Sequence, residues 1–93
     1  MKTMNSTFKQ MIAEVPAEVK MEVDLSFAIA DRLDTLIKKR GLTKKAFANA
    51  IGKRPSEVAK WLSGQHNFTI RTLAMLSAYF HEALIVPAGY RQD

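Results

Sequence analysis

The sequence predicts an all-α protein, a small helical bundle with an N-terminal helical arm and a short C-terminal extended segment. Three observations carry this expectation. Apolar residues recur at three- and four-residue intervals in successive blocks, the period of helices that bury one face. Pro16, Thr43, Pro55 and Thr69 open the blocks after the arm and Gly41, Gly52 and Gly64 close them, so start and stop signals agree with the periodicity. The only stretch that reads as extended is Ala83-Leu84-Ile85-Val86-Pro87, too short and too β-branched for a helix and bounded by a proline.

The 93 residues have room for one domain with a modest core, a size at which dimerisation adds stability. The net charge of +5 is a weak sign of an anionic partner, and its distribution says more. Between Lys38 and Lys60 lie eight basic residues (Lys38, Lys39, Arg40, Lys44, Lys45, Lys53, Arg54 and Lys60) against one acid, Glu57; residues 1 to 30 hold three basic and four acidic. Such a concentration is the footprint of a phosphate-binding surface. The absence of cysteine excludes disulfides and thiolate metal sites. No apolar run approaches membrane-spanning length and the N-terminus lacks a signal-peptide pattern, so a cytoplasmic location is expected. In that setting the sequons at Asn5 and Asn67 are chance matches.

In residues 1–15, Phe8, Met11, Ile12 and Val15 follow an i, i+3, i+4, i+7 pattern that suits a short amphipathic helix capped by Ser6 or Thr7. This arm is either a frayed tail or a segment packed on the domain, on a second copy or on a partner. Pro16 to Arg40 then reads as one long helix. Glu18 in its first turn and Lys38, Lys39 and Arg40 in its last complement the helix dipole, and Asp24-Leu25-Ser26 offers a second capping site where it could break. Ile29, Leu33, Leu36 and Ile37 form its inward stripe. Val19, Met21, Val23 and Phe27 extend apolar surface upstream, and at about 1.5 Å per residue the helix outruns what so small a domain covers.

Residues 43–64, TKKAFANAIGKRPSEVAKWLSG, organise the rest. Phe47 and Ile51 give one apolar face to Thr43–Ile51, and Val58, Trp61 and Leu62 give one to Pro55–Ser63. Thr43 is a good N-cap, Pro55 suits a first turn, and Gly52 tolerates the positive φ that a tight turn between steeply crossing helices requires. Ala48 is small where the two helices approach. After the loop Gln65-His66-Asn67-Phe68, Thr69 or Asn67 caps a helix to about Phe80, with Ile70, Leu73, Leu76 and Phe80 facing the core. The extended segment 83–87 needs a mate for its backbone, and a symmetric copy from a second subunit is the economical one.

This pattern resembles the helix-turn-helix of the Xre/lambda-repressor-like DNA-binding families. Phe47, Ala48, Ile51, Gly52, Val58 and Trp61 stand at the family's spacing, followed by Gly64, Ile70, Leu73 and Leu76. The likeness covers roughly residues 25 to 80; together with the element reading above it divides the chain into an N-terminal arm at 1–15, a DNA-binding domain at 16–82 (motif 43–64) and a C-terminal segment and tail at 83–93. Two positions depart from it. Lys53 stands where an apolar residue normally packs under the turn, and Lys44 stands where a glutamine often braces the DNA backbone.

In such a motif the second helix enters the major groove and the first lies across the backbone. The resemblance therefore implies base contacts by Arg54, Pro55, Ser56, Glu57 and Lys60. Lys60 is the strongest of these, because one turn into the helix its ammonium reaches guanine O6 or N7. Glu57 either accepts from cytosine N4 or, more in keeping with its neighbours, pairs with Lys53 or Lys60. Phosphate contacts are implied for Thr43, Lys44 and Lys45, then for Lys53, Gln65, His66 and Asn67. Trp61 reads as core rather than as a stacking platform. His66 and His81 lack neighbouring ligands, so no metal site or other cofactor is expected, and no nucleophile–base pair, glycine-rich phosphate loop or carboxylate pair suggests an enzyme.

The expected function is that of a sequence-specific repressor of double-stranded DNA, acting as a homodimer. The stretches Phe27–Arg32 and Lys60–Thr69 are also similar to antitoxins of the HigA kind, which implies a cognate toxin partner and autoregulation. A stand-alone phage-type or metabolic repressor, and a protein-interaction module without DNA binding, are the alternatives.

Overall fold

A computed structural model of the chain describes residues 14–90. Four helices follow one another: α1 (Ala17–Lys39), α2 (Lys44–Ile51), α3 (Pro55–Leu62) and α4 (Ile70–Phe80), with no strand among the described residues. The expected amphipathic helix of the arm, with Phe8, Met11 and Ile12, lies outside the described residues apart from Val15, which is exposed.

α1 begins at Pro16, whose carbonyl accepts from the amides of Val19 (3.0 Å) and Lys20 (3.2 Å). It passes through Asp24–Ser26 without a break. Neither glycine nor proline interrupts residues 17–39, so the i→i−4 ladder continues and the capping signal at Asp24 goes unused. Only its second half reaches the core. Ile29, Ala30, Leu33, Leu36 and Ile37 are buried, whereas Val19, Met21, Val23, Leu25 and Phe27 are exposed.

The core joins that half of α1 to Phe47 and Ala48 of α2, Val58 and Trp61 of α3, Leu76 and Phe80 of α4, and Leu84 beyond it. Phe47 is its centre. Its ring stacks on Phe80 at 5.5 Å and meets the edge of Tyr79 at 5.8 Å, so burial and aromatic geometry act together at one residue.

One expected core residue is elsewhere: Ile70 is 85% exposed. Thr69 caps α4, its hydroxyl oxygen accepting from the Thr72 amide at 3.1 Å, and this makes Ile70 the first helical residue. At about 100° per residue Ile70 stands roughly 120° around α4 from Leu76, outside the stripe formed by Leu73, Leu76 and Phe80. Its exposed face runs beside Ala74, Ser77, Ile85 and Val86 instead.

The segment after α4, expected to be extended, is irregular with a bend at Leu84 and is not paired in a sheet among the described residues. Leu84 is buried, and its amide donates to Ser77 Oγ at 3.0 Å while the Ser77 hydroxyl donates to the Leu73 carbonyl at 2.7 Å. A side chain therefore supplies one of the backbone partners that the sequence assigns to a second strand.

An ion-pair cluster ties the end of α1 to the end of α4. Glu82 accepts from Arg32 (3.2 Å) and Lys39 (2.9 Å), Arg32 Nε donates to the Ala83 carbonyl, and Arg40 donates to the Tyr79 carbonyl while lying over the Tyr79 and Phe80 rings. The hydrogen bond from Lys39 is the main cause that holds the Glu82 carboxyl below its ordinary value, aided by the charges of Lys39 and Arg32 and opposed by partial desolvation. A carboxyl depressed in the folded state stabilises above its unfolded pKa, and that contribution is lost as pH falls through the folded value. Glu82→Gln is accordingly expected to flatten the decline of Tm on acidification, measured by thermal melts from neutral pH downward. An identical acid slope in the variant would show that the cluster is not the cause.

Two glycines carry separate constraints. Gly52 has φ +73° with open space where a Cβ would stand, so Gly52→Ala is expected to cost only the left-handed backbone penalty of about 1–2 kcal/mol. Gly64 has φ +81°, and there a Cβ would also collide with the Phe27 ring. Gly64→Ala is therefore expected to destabilise more than Gly52→Ala, a ranking that urea unfolding of the two variants reads directly.

Candidate nucleic-acid interface

The local sequence builds the surface from two helix starts. Thr43 takes an extended conformation and its hydroxyl oxygen accepts from the Ala46 amide at 3.0 Å, which caps α2 and leaves Lys44 and Lys45 exposed in its first turn. α2 ends at left-handed Gly52, where the Lys53 amide donates to the Ala48 carbonyl at 2.9 Å. Arg54 is extended and Pro55 opens α3. Gly52, Lys53 and Arg54 thus form a three-residue turn, and fully buried Ala48 lets the helices approach.

Lys53, where the related pattern has an apolar residue, does not disturb this turn. Its amide closes the end of α2, and its side chain is exposed in a concavity of about 380 Å³ lined by Thr43, Lys45, Ala46, Asn49, Lys53 and Pro55. The geometry therefore gathers Thr43, Lys45, Lys53 and Pro55 at one place. Lys44, Arg54, Ser56, Glu57 and Lys60 are exposed on the same two helices and their turn. Ser56 and Lys60, four residues apart, fall on the solvent face of α3 opposite buried Val58 and Trp61.

The basic run divides in two. Lys38 pairs with Asp34 at 2.8 Å, a hydrogen bond that raises its pKa, while Lys39 and Arg40 bind the end of α4. Lys44, Lys45, Lys53, Arg54 and Lys60 form no ion pair among the described residues. Among the described residues folding thus engages the cations at the end of α1 and leaves those around the turn without an ion pair.

The expected pairing of Glu57 with Lys53 or Lys60 is not formed, since no ion pair joins them among the described residues. Lys53 turns into the concavity, which Glu57 does not line. An exposed i, i+3 pair with Lys60 contributes only about 0.2–0.5 kcal/mol, too little to hold two solvated side chains together. Trp61 is 3% exposed and packs at 6.4 Å from Phe68, which makes it core.

Gln65, His66 and Asn67 do not line the concavity. Gln65 is exposed and its amide donates to Ser63 Oγ, whereas His66 and Asn67 border a second groove with Glu18, Met21 and Glu22 of α1, His66 standing edge-on to Phe68 at 4.9 Å. Asn49 is the residue that the sequence reading missed. It lies four residues after Lys45, hence on the same exposed face of α2, and this spacing is the signal that identifies it.

Among the described residues no helix is long and apolar enough to cross a membrane, and no group of three or more His, Cys, Asp or Glu is disposed to hold a metal ion. Neither a curated protein nor a solved structure gives a significant match to the chain. The helix-turn-helix family profile matches residues 29–84, from the first buried residue of α1 to the buried Leu84. The chain belongs to the helix-turn-helix family of Xre/lambda-repressor-like DNA-binding regulators.

Proposed function

We propose that the protein is a sequence-specific repressor that binds an operator as a homodimer, with α3 in the major groove and α2 across the backbone. The observation that carries this reading is the set of cations around the α2–α3 turn that form no ion pair among the described residues, in contrast to those at the end of α1, which are engaged by Asp34, Glu82 and the Tyr79 carbonyl. In it Arg54, Pro55, Ser56, Glu57 and Lys60 face base edges, and Thr43, Lys44, Lys45 and Lys53 hold phosphates, with Asn49 beside them. Gln65, His66 and Asn67 are weaker phosphate candidates, given the second groove that His66 and Asn67 border. Footprinting on the protein's own upstream DNA tests the dimeric reading. Two protected half-sites about one helical turn apart, roughly 34 Å, are expected; a single half-site would sink it.

A more specific reading is that the repressor is an antitoxin that binds a cognate toxin and represses their common operon. The row Val19, Val23 and Phe27, exposed along one side of α1 beyond the family match, favours a protein partner. Co-expression with the product of an adjacent gene is expected to yield a complex that Val23→Glu disrupts while DNA binding persists. A neighbour product that stays separate would leave a stand-alone repressor.

A further inference from the structure

The first half of α1 offers two different apolar rows. Val19, Val23 and Phe27 form one. Met21 and Leu25 belong to the other, which with Glu18, Glu22, Ser26 and Ile29 walls the groove of about 480 Å³ opposite His66, Asn67, Phe68 and Ile85. This row continues into the buried stripe, since Ile29 is followed by Leu33 and Leu36, so whatever fills the groove extends the core. Its floor is apolar and its α1 rim carries two carboxylates, neither of which is in an ion pair among the described residues.

We propose that the groove is the docking site of the chain's own N-terminal segment, residues 1–13, folded back antiparallel along α1. Reach, pattern and charge argue for this occupant. Glu14 and Val15 form a turn immediately before Pro16, at the end of α1 where the groove opens. A helix over residues 6–13 spans about 12 Å, matching the roughly 11 Å from Glu18 to Leu25, and a turn of this length joins antiparallel helices. Phe8, Met11 and Ile12 recur at helical spacing, which turns one apolar face to Met21, Leu25 and Phe68. Lys9 comes level with Glu22 in an antiparallel hairpin that turns at residues 14–16. The segment's only ionisable side chains are the cations Lys2 and Lys9, complementary to the acidic rim. The groove shares no residue with the α2–α3 concavity and touches the proposed DNA surface only at His66 and Asn67, the weaker phosphate candidates.

The chain contains no cysteine, so a designed disulfide reports proximity without background. The full-length Lys9→Cys/Glu22→Cys protein, with its helicity checked by circular dichroism, is oxidised mildly at low micromolar concentration. A control carries Lys9→Cys/Glu57→Cys, with the second thiol on α3. Docking in the same chain predicts a monomeric, internally bridged product that forms at least about tenfold faster than in the control. Bridges between chains would assign the groove to a second copy and overturn the proposal. Equal rates in the two proteins, or no bridge at position 22, would overturn it as well.

Discussion

Reversing the charge at Lys44 and Lys60 together is expected to abolish specific DNA binding, with a loss of affinity above about a hundredfold and unchanged helicity. Both side chains are exposed and neither forms an ion pair among the described residues, so the fold does not depend on their charge. The two substitutions act differently. In the proposed docking Lys60 makes a base contact worth about 1–3 kcal/mol of discrimination, so Lys60→Ala is expected to relax specificity at one position of the site. In the same docking Lys44 holds a phosphate, so Lys44→Ala is expected to weaken binding to all sequences alike and to reduce the slope of log K against log salt by about 1. Fluorescence anisotropy with matched and mutated duplexes separates the two roles. If both variants lost affinity uniformly, Lys60 would be a phosphate contact and the placement of α3 in the groove would need revision.

Phe47→Ala is expected to unfold the domain or bring it close to unfolding. The side chain is completely buried and contacts rings from α4 on two sides, and emptying such a site costs about 3–5 kcal/mol. A small domain has a total stability of only about 5–15 kcal/mol, so one ring accounts for a large part of it. The same deletion frees α2 from α4, and with it the platform that presents Lys44 and Lys45. Urea denaturation followed by Trp61 fluorescence gives the loss directly. A change below about 1 kcal/mol would mean that the core is not centred on this residue.

The features that sequence made legible are those with local causes. Thr43, Gly52 and Pro55 act through their own backbone and their near neighbours, and the structure uses each as a cap, a left-handed turn residue and a first helical residue. The core face of α1 was equally readable, because Ile29, Leu33, Leu36 and Ile37 share one stripe. What escaped the reading depends on long-range partners. Ile70 looks like core by composition, but the cap at Thr69 fixes a rotation that turns it outward. Lys39 and Arg40 belonged by position to the basic run, and only the return of Glu82 and Tyr79 from over thirty residues away removes them from it. Ser77 satisfies a backbone amide that sequence alone assigned to a second chain. The pairing assigned to Glu57 was a local inference of the kind that usually succeeds, yet the solvation of its partners outweighs a weak surface attraction.

Among the described residues folding therefore engages Lys38 within α1 and Lys39 and Arg40 with the end of α4, and leaves the cations around the α2–α3 turn without an ion pair. The central claim is that the second group reads DNA. A mobility-shift titration of the full chain on its own upstream region, across a salt series and against excess bulk DNA, tests this most directly. The account predicts a complex that survives the competitor and whose affinity falls steeply and linearly in log salt, with a slope that corresponds to several neutralised phosphates. Binding that the competitor removes completely, or that is insensitive to salt, would contradict it.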